Sequence, residues 1–166
     1  LLWLDHEKSG EDINLYLNSP GGSVTDGLAI YDTMRHLQSD VAVTVMGQAA
    51  SMGAVLACGG TKGKRFALPN ARFLIHSVRG GTEGITQDIV NQGEEVKRLN
   101  NRLMNIIAEN TGQPLEQVKK DFAADTFLDA IQAVEYGLID AVIQEDGSLY
   151  KKEGIERNSV LTPHTS

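Results

Sequence analysis

The chain has 166 residues, 41% of them hydrophobic, and a formal charge of −7. That describes one domain of ordinary size with room for a core, and its acidic balance points away from a nucleic-acid surface, which needs clustered Lys and Arg. No apolar run is long enough to span a bilayer, and the lone Cys58 and four scattered histidines give neither an internal disulfide nor metal-ligand spacing.

The sequence opens on Leu1, without a signal-like segment, and reads as a trimmed chain. Residues 1–5 look like the end of a helix, and 6–12 form a polar loop. Ile13-Asn14-Leu15-Tyr16-Leu17 alternates apolar and polar, as a half-buried strand does. Asn18-Ser19-Pro20-Gly21-Gly22-Ser23 breaks it, either as a plain turn or as a backbone cradle, since paired glycines reach φ values closed to other residues. Residues 26–38 read as an amphipathic helix with Gly27, Ile30, Met34 and Leu37 on one face.

Val41-Ala42-Val43-Thr44-Val45-Met46 is a buried strand, and Ala54-Val55-Leu56-Ala57-Cys58 an apolar helix. Between them lies Gly47-Gln48-Ala49-Ala50-Ser51-Met52-Gly53. Ser51 among small residues at a strand-to-helix turn fits either a nucleophile beside unpaired helix N–H groups or a simple N-cap. Gly59-Gly60-Thr61-Lys62-Gly63-Lys64 ends the helix without the spacing of a phosphate loop. Short strands are expected at 65–68 and 72–75, with His76 ending the second and Gly80, Gly81 and Gly84 following. Residues 85–110 form one long helix, 114–122 a short one, and Asp125 lies in the connection after it. A helix at 130–136 capped by Gly137 and a strand at 138–143 complete the domain, 1–143. The polar stretch 144–166 reads as a disordered tail.

Alternating strands and helices imply an α/β fold built from repeated βαβ units. Serine-based acyl transfer needs a base, a group to orient it, and donors for an oxyanion. His76 at a strand end is a candidate base or a satisfied structural histidine. Asp125 is a candidate orienting carboxylate or a helix cap.

Four motifs in order resemble the proteolytic subunit of the Clp protease. They are Ser19-Pro20-Gly21-Gly22-Ser23-Val24-Thr25, Gln48-Ala49-Ala50-Ser51-Met52-Gly53-Ala54, Lys62-Gly63-Lys64-Arg65-Phe66-Ala67-Leu68-Pro69-Asn70 and Glu135-Tyr136-Gly137-Leu138-Ile139-Asp140. The resemblance implies a ClpP/crotonase-like fold whose long helix is a protruding handle. It implies a Ser51-His76-Asp125 triad cleaving unfolded polypeptides, with the backbone N–H groups of Gly22 and Met52 as oxyanion hole. It also implies homo- or hetero-heptameric rings stacked as a tetradecamer and fed by a hexameric AAA+ unfoldase. That partner uses the ATP, so no cofactor is expected here, nor a membrane or nucleic-acid partner. The implied compartment is the cytoplasm, or an organellar matrix or stroma.

The chain departs from the family pattern in several places. The N-terminal axial segment is absent. Ser77-Val78-Arg79 stands where Gln-Pro-Leu is common, and Phe122-Ala123-Ala124 replaces an acidic–arginine pair. Asn14 and His36 replace aromatics of the unfoldase-docking pocket, of which Tyr16 is retained. A non-catalytic ring subunit is the alternative within the family. A CoA-dependent hydratase of crotonase type is the alternative outside it.

Overall fold

Strand β2, Val41–Ala50, is the spine of the fold. This is a computed structural model, and it describes residues 1–79 and 85–156. Val41, Val43 and Val45 share one face and are buried, and on the other face Ala42 is buried and Thr44 half-buried, so the run is covered on both sides. β2 pairs in parallel with three strands: β1 (Ile13–Ser19) along most of its length, β3 (Arg65–Ala67) at its first half and β4 (Arg72–Ile75) at its second. Between Leu17 and Ser19 the register with β2 slips. There Gly47 takes a φ of +87° and the Asn18 side chain accepts from Gln48 N–H at 3.2 Å. The slip turns the end of β2 toward β4, and Ser51 follows directly.

The sheet continues through β5 (Thr126–Asp129), antiparallel to β4, and through β6 (Ala141–Ile143), parallel to β3. The α/β class is as expected, with βαβ units formed by β1–α2–β2 and β2–α3–β3, where α2 is Val24–His36 and α3 is Met52–Cys58. The remaining described helices are α1 (Leu2–Glu7), α4 (Thr86–Thr111), α5 (Leu115–Ala124) and α6 (Ala130–Tyr136). In α2 the inward stripe is Gly27, Tyr31 and Met34, at i, i+4 and i+7. Ile30, expected on that face, lies at its margin and is exposed. Tyr31 takes its place, its ring over Gly59 and its hydroxyl bonded by the Asn110 amide at 3.0 Å.

Helix α4 divides in two. Leu103, Ile106 and Ile107 are buried, and Gly112 in the left-handed region caps the end with its N–H on Ala108 C=O. Its N-terminal turns, with Ile89 and Val90, are exposed.

Two expectations are corrected. Residues 144–156 are not a disordered tail: β7 (Leu149–Lys151) adds antiparallel to β6, and β8 (Gly154–Glu156) adds to β7, after a turn at Asp146-Gly147. Residues 157–166 lie outside the described residues, as do Gly80, Gly81 and Gly84. The strand expected at 138–143 begins only at Ala141, because Gly137 ends α6 in a left-handed cap and leaves the buried Leu138 and Ile139 in a turn.

A buried ion pair ties these layers together. Arg65 forks onto Asp140, Nε to Oδ2 at 2.9 Å and Nη2 to Oδ1 at 2.6 Å, and its Nη1 donates to the carbonyls of Cys58 and Asn110. One guanidinium thus satisfies the C-terminal ends of α3 and α4 and the entry to β6.

Candidate active site

Ser51 stands between the last residue of β2 and the first of α3, with φ 57° and ψ −121°. A non-glycine residue held there costs on the order of 1–3 kcal/mol and persists only where its surroundings dictate it. Here they do. Ser51 N–H donates to Leu74 C=O of β4 at 2.9 Å, and its own C=O accepts from Ala54 N–H at 3.0 Å. The side chain makes no capping bond, so the N-cap alternative is not how the hydroxyl is used.

The glycine pair lies against this turn. Gly21, at φ +92°, would clash through any Cβ with Ser51 and with Ala50 C=O. Gly22, at φ +148°, faces open space on the same cavity as Ser51. Met52 is buried with its side chain over Gly27, so only its backbone is available to the site.

The bond from Ser51 to Leu74 also brings in the histidine, because His76 is two residues further along that chain segment. The 76–78 segment is held from behind. Ser77 donates from N–H and Oγ to Phe122 C=O, both at 3.1 Å, and Val78 N–H donates to Asn100 Oδ1 at 2.7 Å. Ser51, His76, Gly22 and Arg79 line one cavity of about 330 Å³, whose apolar wall includes Val55, Leu103, Ile107 and Phe122. His76 Nδ1 is buried there and has no hydrogen-bond partner among the described residues.

Asp125 is the C-cap of α5, at φ 52° and ψ 69°. The antiparallel register ends on the pair Ile75 and Thr126, and His76 and Asp125 are the residues that adjoin that pair. The carboxylate, however, is turned outward: Oδ2 accepts from Arg79 Nη2 at 2.5 Å. The structure therefore brings Ser51, His76 and the glycine loop to one cavity and the Asp125 backbone beside them, without joining the carboxylate to the imidazole. Below this turn Asp121 is buried, accepting from Tyr136 OH at 2.6 Å and Gln117 Nε2 at 2.9 Å, while its carbonyl accepts from Thr126 Oγ1. Burial first, and then the Asp121 carboxylate, push the Tyr136 hydroxyl to ionise well above its ordinary value.

Sequence reasoning passed over Asn100 and Asp121 as parts of the site's frame, because their partners lie far along the chain, whereas the Gly21-Gly22 pair carried a local signal as a possible backbone cradle. Tyr16 stands away from the cavity, exposed on β1 on the same face as Asn14. Among the described residues no cluster of His, Cys, Asp and Glu could hold a metal ion, and no helix is long and apolar enough to cross a membrane.

Fold and site together define an α/β protein whose cavity gathers a serine, a histidine and a glycine loop at the end of a central strand. The family model for the Clp protease matches residues 1–146. The chain belongs to the Clp protease family, and with that to a family of peptidases.

Proposed function

We propose that this chain is a serine endopeptidase, the proteolytic subunit of an ATP-dependent Clp protease. The observation that carries the reading is Ser51 at a positive φ, its hydroxyl spared from capping, on the same cavity as His76. A residue kept at such a cost where glycine would be easier is retained for its side chain.

In this reading Ser51 Oγ attacks the scissile carbonyl carbon while His76 takes the hydroxyl proton. The oxyanion is met by the N–H groups of Gly22 and Met52, the latter at the start of α3. Collapse expels the amine, which leaves with the proton from His76, and water then hydrolyses the acyl-enzyme by the same route. Asp125 orients the imidazole through Nδ1. The substrate is an unfolded polypeptide delivered by a hexameric unfoldase that binds the ATP. The exposed N-terminal half of α4 is the handle by which stacked seven-membered rings interlock, and Tyr16 contributes to the unfoldase dock. Rings of this chain alone and rings mixed with a second subunit both satisfy the reading.

One observation favours a second reading. With Asp125 on Arg79 and Nδ1 unpartnered, a non-catalytic ring subunit has the same geometry. Labelling of the assembled chain with a fluorophosphonate, followed by intact mass, separates the two. Ser51-dependent labelling, lost in Ser51→Ala, supports the peptidase. No labelling of a folded, ring-forming sample under any condition overturns it in favour of the structural subunit.

A further inference from the structure

We propose that Arg79 is a latch on the active site: by holding the Asp125 carboxylate it keeps that group from His76, and its release governs how readily Ser51 is activated. The inference rests on the peptidase reading and adds a means of regulation to it.

Three observations carry it. The last pair in the register of β4 with β5 is Ile75 with Thr126, and His76 and Asp125 are the residues that adjoin that pair, so the backbone brings the two into one neighbourhood. The imidazole nitrogen that would receive the carboxylate is buried and has no partner among the described residues. The carboxylate itself is engaged by Arg79, a residue that lines the same cavity as Ser51 and His76. A carboxylate has acceptor sites to spare, so Arg79 does not exhaust it. It turns the group outward, and the buried nitrogen is what loses its partner.

The contact that holds the resting state is a weak one. The Arg79–Asp125 pair is exposed, 72% and 44% by side chain, so water and salt weaken it. The alternative pair joins Asp125 to a buried nitrogen that gains its missing bond. A contact this exposed can hold the resting state without making it permanent. Arg79 is in this sense a positioning residue, acting on Ser51 through Asp125 and His76.

The test is the rate of fluorophosphonate labelling of Ser51 in the assembled full chain, native and with Arg79→Gln, Arg79→Lys and Ser51→Ala. Arg79→Gln removes the charge and is expected to label about tenfold faster or more, since a disfavoured state of this kind is populated at roughly a tenth or less. With an unstructured peptide substrate its kcat rises by the same factor and KM is unchanged. Arg79→Lys keeps the charge and stays near the native rate. Raising salt from about 0.05 to about 0.5 M speeds the native chain and leaves Arg79→Gln unaffected. Native-like or slower labelling of Arg79→Gln, or an equal salt response in both, overturns the latch while Ser51-dependent labelling still upholds the peptidase. Absence of Ser51-dependent labelling in every variant overturns the peptidase reading, and the latch with it.

Discussion

A Cβ on Gly21 would lie 2.6 Å from Cβ of Ser51 and 2.7 Å from the carbonyl oxygen of Ala50. The glycine loop and the serine turn are therefore a single packed unit, and neither can shift alone. Backbone atoms cannot retreat as a flexible side-chain tip would, and Gly21 also sits at φ +92°, where L-residues are strained. Gly21→Ala should keep the fold but displace Ser51. A displacement on the order of 1 Å costs about 100-fold in rate, so fluorophosphonate labelling should fall by that order while the far-ultraviolet spectrum is retained.

Asp140 is where the sequence end of the domain grips its middle. Its carboxylate accepts from Arg65 through two guanidinium nitrogens and the backbone N–H, and also from Gly63 N–H at 2.7 Å. Removing one partner leaves a buried guanidinium uncompensated, a loss of roughly 3–5 kcal/mol. Asp140→Ala should lower the unfolding free energy by that amount in urea. Arg65→Lys, which keeps charge but not the fork, should also destabilise.

Tyr136→Phe leaves Asp121 without its 2.6 Å donor and should cost about 1–3 kcal/mol. The alkaline limb of stability carries the same signature. The Tyr136 hydroxyl ionises at a higher pH in the folded chain than its ordinary 10.0, so the unfolded state loses that proton first. Its contribution is complete below pH 10 and drains away as the pH rises beyond that value. Unfolding free energies of native and Tyr136→Phe protein measured up the alkaline range should converge. A constant gap would contradict the assignment.

Cys58 is enclosed in α3, and burial raises its thiol from an ordinary 9.0 to about 12. The thiolate that reacts with disulfide reagents is thus suppressed in the folded chain. Labelling by a disulfide reagent at neutral pH should be slow and should accelerate with denaturant in step with global unfolding. Fast stoichiometric labelling in buffer would show a mobile α3.

Where one segment carries its own pattern, the fold was legible. The β-branched run of β2 followed by small residues announced strand, turn and helix, and Ser51 is at that turn. The stretch of α4, with few breakers and many good helix formers, announced its length. β5 was not legible, because its burial alternates weakly, Phe127 is exposed, and among the described residues its only strand partner is β4. The β7–β8 hairpin was hidden by polar composition, although Asp146-Gly147 is a turn signal. Arg79 illustrates the remaining gap: its ion pair spans 46 residues, and no local pattern specifies which acid a surface arginine will meet.

Ser51 and Asp125 are the two non-glycine residues with positive φ among those described. Each would be more comfortable as glycine, and each change would delete a group the proposed chemistry requires. A library screened for heat resistance alone should therefore drift toward glycine at both positions. It would return well-folded, inert protein. Selection on turnover would push the other way and keep the melting temperature modest.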